Sequence, residues 1–339
     1  MRLATCLLTV VTATAALADH PSAPAHAPGF TVLQVESRAG GPLTVELWYP
    51  ADPGADLTEV ASNPVWQGTL AAVDAAPVAG RYPVVLLSHG LDGAARNLAW
   101  LGAALAAAGH VVTAPNHAGT GFAAPDPVLR ADLGARPQQL HRALAAVLDD
   151  ARIGPLADGA RVVAVGHSLG GFTVLAAAGV GIEVARMDCA DAVLRPDCAF
   201  LAEAGVDGDW AAVGSLQPTG TISALVTLDA GLTQALHRAD LANLTVPLLI
   251  VGAGAPDNPL PLDVESRALA AAVPAADYVE LEGAVHFDFL GLCTAEALDV
   301  LAEEEPGASF DCAPSPMPRV EVHAQTIQLV REVVARLPE

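Results

Sequence analysis

Residues 161–178 read RVVAVGHSLGGFTVLAAA, and the rest of the chain is arranged around them. Val162, Val163, Ala164 and Val165 form an apolar run that meets Gly166-His167-Ser168-Leu169-Gly170; a small-residue apolar helix then begins. A buried strand, a sharp turn and a helix, in that order, give the pattern G-x-S-x-G its meaning: the turn lifts the serine hydroxyl clear of the sheet. Only residues without bulk fit beside a serine held in such a strained turn. Gly166 and Gly170 meet that need, and Gly171 lets the helix approach the sheet. Free N–H groups at the helix start favour negative charge on a reacting group there. Ser168 is the candidate nucleophile. A tight structural turn without chemistry is the competing reading.

The flanking sequence supplies the sheet that such a turn needs. YPVVLLS (82–88) is a fully apolar strand that ends at His89-Gly90-Leu91-Asp92-Gly93, and a helical stretch (96–108) and a buried strand (110–115) follow. Residues 137–150 have helical spacing through Leu140, Leu144, Val147 and Leu148. Downstream, strands are expected at 222–228, 246–252 and 277–281, with a helix at 264–273. A last helix at 320–337 has an apolar face at Ile327, Val330 and Val334. Before all of these, segments 30–36 and 43–49 predict an antiparallel hairpin, whereas 52–80 reads as a surface loop. Strands alternating with helices predict an α/β fold: one mostly parallel sheet of eight strands with helices on both faces, in a single domain spanning 30–339. Residues 183–218 break the alternation and read as a small cap-like insertion.

The N-terminus carries one arginine, an apolar stretch and Ala16-Leu17-Ala18, the form of a cleavable export signal over residues 1–18. A Pro-, Ala- and His-rich leader (19–29) follows. The expected location is therefore secreted or periplasmic. The remaining cysteines fall into two close pairs, and loop economy favours Cys189–Cys198 and Cys293–Cys312 as disulfides. No C-x-x-C or Cys/His cluster suggests a metal. The net charge is −22 and the chain contains no lysine, every basic residue being arginine. Schiff-base lysine chemistry and the phosphate-loop lysine are thereby excluded, and nucleic acid and anionic membranes are poor partners.

A serine hydroxyl needs a histidine to take its proton and a carboxylate to fix the imidazole tautomer. In a doubly wound sheet both come from loops at the carboxyl ends of strands. His286, in GAVHF after the last expected strand, is the candidate base. His323 lies at the start of the terminal helix, where packing is its expected role. His167 sits inside the turn and braces it, and His89 orders the loop after residue 88. Two carboxylates lie between Ser168 and His286 at suitable places. Asp257, in the loop GAGAPDNPLP, is preferred, with Asp229, at the end of VTLD, as the alternative; Asp288 is too close to His286 in sequence. The backbone amides of Leu91 and Leu169 are the candidate oxyanion donors.

With these residues placed, the chain resembles the α/β-hydrolase superfamily, and more narrowly the predicted dienelactone hydrolase / platelet-activating-factor acetylhydrolase-like group. The resemblance runs through PVVLLSHGLDGAARNLAWLGAALAAAGHVVTAPNHAGT, VGHSLGGFTVLAAAG, VPLLIVGAG and GAVHFDFLGLC. It implies Ser168 as nucleophile, His286 as base, and Leu91 with Leu169 as oxyanion donors. For the acid it is divided: Asp257 matches the usual hydrolase position and Asp229 the place used in the acetylhydrolase branch. Dienelactone hydrolases use a cysteine where Ser168 stands. The VP-L-I strand and the C-terminal cysteine pair are also similar to secreted cutinase-type polyester hydrolases.

These residues predict an exported serine esterase that acts on small carboxylic esters through an acyl-enzyme, without cofactor or metal. The insertion contains no long amphipathic lid helix, which favours short acyl chains. Residues 183–218 and 119–127 are expected to form the substrate wall, although no individual substrate-binding residue is identified. Polyester cleavage or peptide cleavage by the same triad is the first alternative; a non-catalytic binding protein on a hydrolase fold is the second.

Overall fold

The computed structural model describes residues 25–35, 43–122, 126–206, 222–305 and 307–338. The expected export signal therefore lies outside the described residues. From the N-terminus come β1 (Ala27–Val35), β2 (Leu43–Ala51), β3 (Thr58–Val60), β4 (Thr69–Val73) and β5 (Tyr82–Ser88). Then follow α1 (Ala99–Ala107), β6 (Val111–Pro115), α2 (Pro127–Ala131), α3 (Ala135–Asp149), β7 (Ala157–His167) and α4 (Leu169–Ala177). The second half carries α5 (Arg195–Ala204), β8 (Ile222–Leu228), α6 (Arg238–Ala242), β9 (Leu248–Ala253) and α7 (Ser266–Ala272). It ends with β10 (Asp277–Leu281), α8 (Ala297–Glu304) and α9 (Arg319–Ala335).

The strands form one sheet in the order β10-β9-β8-β7-β5-β6-β2-β1-β4-β3. The run from β6 through β5 to β10 is parallel, while β2 is antiparallel to both β6 and β1. This is an α/β-hydrolase fold. Alternation along each central strand divides the core into two layers. Val84, Leu86, Val162 and Ala164 face the side that holds α3 and α4, whereas Val85, Leu87, Val163 and Val165 face α1 and α9. Strands buried on both faces read as unbroken apolar runs, which is why they stood out in the sequence.

Among the described residues there are ten strands where eight were expected. The stretch read as a surface loop contains β3 and β4, which pair antiparallel, and β4 adds to β1 in parallel. Both are too short, at three and five residues, for a periodicity to announce them. β1 already pairs with β2 at Ala27, opposite Ala51; residues 1–24 lie outside the described residues. Cys189–Cys198 and Cys293–Cys312 are both bonded, as the spacing predicted. No described helix is long and apolar enough to cross a membrane.

Candidate active site

β7 ends at His167, and the next residue, Ser168, has φ 57° and ψ −125°. This backbone region is costly for a residue with a side chain, so surrounding structure must enforce it. Two glycines permit the turn: a Cβ at Gly166 would run into the Gly170 carbonyl, and one at Gly170 into the Ser88 carbonyl. Hydrogen bonds then close it. The Ser168 N–H donates to the Leu228 carbonyl at 3.1 Å, and its carbonyl accepts from Gly171 and Gly231 at 2.8 and 3.2 Å.

The loop after β5 passes directly against the serine, since a Cβ on Gly90 would lie 3.1 Å from that of Ser168. The Leu91 and Leu169 amides, the expected oxyanion donors, have no acceptor among the described residues. Leu91 lines the cleft beside Ser168, and Leu169 opens the first turn of α4. Beneath the loop lies a buried polar assembly. His89 donates from Nδ1 to the Gly90 carbonyl at 2.7 Å and accepts the His117 N–H on Nε2 at 3.0 Å. Burial, reinforced by nearby Arg136, pushes the His89 imidazole down to about 3, so it is neutral and its tautomer is fixed by these bonds. His117 is depressed by the same causes.

Arg136 of α3 is 1 % exposed, yet no carboxylate pairs with it among the described residues. Its guanidinium donates to the Thr173 and Thr120 hydroxyls at 2.9 and 2.7 Å and to the His89 carbonyl. Burial lowers its pKa to about 9, which leaves it charged at neutral pH. Arg136 braces the loop after β5 from beneath, a contact that sequence reading did not single out. Its one signal was an arginine in the first turn of a helix that has an apolar face further along.

On the other side of the serine, His286 follows β10 and is 5 % exposed. Its Nδ1 lies 2.7 Å from Asp229 Oδ2, and Asp229 is itself buried at the end of β8 with φ 43°. The second carboxylate oxygen accepts the Ala253 N–H at 3.1 Å, and Asn258 Nδ2 donates to Oδ2 at 3.2 Å. Asn258 also accepts the His286 backbone N–H on Oδ1 at 2.8 Å. His167 donates from Nε2 to the His286 carbonyl at 2.9 Å, its imidazole held neutral by burial and by the neighbouring ring of His286. Both peptide groups of His286 and its Nδ1 are thus fixed, and Nε2 is the ring nitrogen left for chemistry.

The preference for Asp257 is corrected by this geometry. Asp257 is exposed on its loop, and the carboxylate at the imidazole is that of Asp229. The same loop instead provides Asn258. Asp288 is occupied elsewhere, accepting the Val285 N–H at 2.9 Å and facing Arg319 at 3.5 Å. His323 stacks on Trp100 with ring centroids 3.7 Å apart and bonds the Leu290 carbonyl, a packing role as expected.

Ser168 and His286 open into one cleft of about 490 Å³. Its apolar side is built from Val65, Trp66, Phe287, Leu290 and Leu301, with Phe122 at the rim. The wall matches expectation only in part: Phe122 of the 119–127 segment lines it, none of the described residues of 183–206 does, and residues 207–218 lie outside the described residues. Residues 63–67 instead meet the segment after His286, through bonds from Gln67 N to the Leu292 carbonyl (2.7 Å) and from Thr294 N to the Val65 carbonyl (2.9 Å). Cys293–Cys312 staples that segment, and Phe310 packs on Phe287 at 4.6 Å. Among the described residues, no group of three or more His, Cys, Asp or Glu side chains is gathered as a metal site.

No protein-family model matches the chain, and no curated protein matches it in sequence. Solved structures do share its fold. A ferulic acid esterase from Streptomyces cinnamoneus superposes with a TM-score of 0.62 at 19 % identity, over 94 % of this chain and 92 % of that one. A predicted CIB-like hydrolase from Thermoplasma acidophilum gives 0.47 at 13 % identity, over 90 % and 99 %.

Proposed function

We propose that this protein is an exported serine hydrolase that cleaves small carboxylic esters through an acyl-enzyme. The observation that carries the reading is the Asp229–His286 contact at 2.7 Å, beside a serine on a strained turn that opens into the same cleft. An aspartate on Nδ1 keeps the proton on that nitrogen, so Nε2 is free to act as base.

In the first half-reaction, His286 Nε2 takes the Ser168 Oγ proton as Oγ bonds to the ester carbonyl carbon. The carbonyl electron pair moves onto oxygen, where the Leu91 and Leu169 amides receive it; such donors are worth about 2.7–4 kcal/mol each. The intermediate collapses by breaking the bond to the alkoxide, which takes the proton from His286. Water then repeats the sequence on the acyl-serine, releasing the acid and restoring Oγ–H. Asp229 stabilises the imidazolium in each half and does not itself take the proton.

A cleft of about 490 Å³ suits a small ester. Two disulfides are compatible with an oxidising, extracytoplasmic location. The fold shared with a ferulic acid esterase agrees with the ester reading, which itself stands on the site. The test is labelling by a fluorophosphonate together with turnover of p-nitrophenyl acetate, butyrate and palmitate, a peptide amide and a polyester film. Labelling lost in Ser168→Ala, with turnover falling from acetate to palmitate, is the expected result. Labelling that persists in Ser168→Ala, or absence of any ester turnover, overturns the reading.

A further inference from the structure

The end of the cleft beyond the β5 loop is polar, and the triad chemistry makes no use of it. β2 puts Thr44 and Glu46 on the cleft side, while the intervening Val45 is fully buried. Asn116 sits beside them because β6 pairs with β2, and its N–H donates to the Thr44 carbonyl at 2.8 Å.

Two features of this cluster go together. Neither carboxyl oxygen of Glu46 has a hydrogen-bond partner among the described residues, and Oε2 is sealed from solvent. Arg96 lines the same cleft but forms no ion pair with it. The surrounding asparagines are committed in the opposite sense. Asn97 Oδ1 accepts the Ala94 N–H at 2.7 Å, Asn116 Oδ1 the Ala95 N–H at 2.9 Å, and Asn63 Oδ1 the Val65 and Trp66 N–H groups at 2.9 and 2.7 Å. These bonds fix the amide orientations and leave each NH₂ as the group without a protein partner. The cluster therefore offers several donors beside one strong acceptor.

We propose that the part of the cleft bounded by Glu46, Asn97 and Asn116 is a polyol-binding subsite, and that the natural ester carries several hydroxyl groups on the portion that fills it. A hydroxyl both donates and accepts, so adjacent hydroxyls satisfy Glu46 and the asparagine amides together; a hydrocarbon chain would leave all of them unpaired. Burial pushes the Glu46 carboxyl up to about 7 against the pull of Arg96, which weakens its claim on a cationic ligand and suits it to a neutral one. Trp66, elsewhere in the lining of the same cleft, offers an apolar face to the rest of such a molecule. This inference rests on the esterase reading for its turnover test and on the cleft alone for its binding test.

The experiment compares kcat/KM for ethyl butyrate with that for glyceryl monobutyrate, which has hydroxyls on the alcohol, and for ethyl 3,4-dihydroxybutanoate, which has them on the acyl part. At least one hydroxylated ester should be preferred by about 10-fold or more, mainly through KM. Glu46→Leu should cost that ester at least about 5-fold more than it costs ethyl butyrate, with Glu46→Gln between. Glu46→Leu removes an unpartnered carboxyl, so it should fold with a Tm at or above that of the parent. No preference for either hydroxylated ester, or a preference that survives Glu46→Leu, overturns the subsite while leaving the esterase reading intact. Binding of methyl β-D-xylopyranoside to Ser168→Ala, followed by NMR, decides the matter without turnover. Perturbation lost in the double variant with Glu46→Leu supports the subsite even if no ester is cleaved, and absence of perturbation overturns it.

Discussion

Asn258 Oδ1 accepts the backbone N–H of His286 at 2.8 Å, so the loop that offered Asp257 delivers its next residue to the imidazole instead. The same side chain donates to Asp229 at 3.2 Å and so ties the Asp229 carboxylate to the His286 backbone through one amide.

The roles of the two aspartates separate cleanly by substitution. Asp229→Asn should lower kcat by about 10³–10⁴ because an amide at that place promotes the wrong imidazole tautomer. Asp257→Asn, on an exposed side chain, should change kcat less than about 2-fold. Steady-state kinetics on p-nitrophenyl acetate reads both, and the reverse order would return the acid to Asp257.

Asn258→Ala removes the tie between acid and base but leaves both ionisable groups in place. We expect kcat to fall by about 10–100-fold with KM little changed, the signature of a misplaced catalytic group. Asn258→Asp, which keeps the acceptor for the His286 N–H and places a second carboxylate at Asp229, should be the worse of the two. Equal activity of Asn258→Ala and the parent would remove it from the positioning machinery.

Arg136 holds the β5 loop from below through the His89 carbonyl. Arg136→Met leaves that carbonyl and two threonine hydroxyls without their donor, at about 1–3 kcal/mol for each buried group left unpaired. Both Tm and kcat should fall. Arg136→Lys, with one charged nitrogen for three acceptors, should recover part of the Tm and less of kcat. If kcat per folded molecule is unchanged in both, the residue is structural only.

A second buried site controls stability rather than catalysis. Glu265 accepts the Thr233 N–H at 2.9 Å, and Asp197 of α5 reaches its carboxyl. Burial, with the Asp197 carboxylate beside it, raises Glu265 to about 8 from 4.5. The folded protein therefore binds a proton that the unfolded chain has released between these values. The stability this contributes is complete below about pH 4.5 and is lost as pH rises through about 8. Calorimetric Tm should decline from pH 6 to 9, and Glu265→Gln should flatten the decline. An identical slope in the variant would refute the assignment.

Much of this architecture was legible in the chain because its central strands are buried on both faces and its turn admits only glycine at two places. Ser168 directly follows β7 and His286 lies in the short loop after β10, and local sequence marks both. The acid was not decided locally: Asp229 and Asp257 both follow strands. Asp229 reaches the imidazole because its backbone turns into the left-handed region just past Leu228. The cleft wall was illegible for a different reason. It is made where residues 63–67 meet the segment after His286, a pairing more than two hundred positions apart that no periodicity encodes. Glu46 was hidden by its strand, whose alternation marks a face but not what that face borders.

The staple between Cys293 and Cys312 bears on how the molecule withstands proteolysis. It joins two cysteines 19 positions apart, around a loop that carries α8 and borders the mouth of the cleft. A protease that nicks this loop would cut the backbone without releasing either fragment, and α9 would stay docked against the sheet. The molecule should thus survive an injury that would dismantle the same site in a chain without that covalent tie.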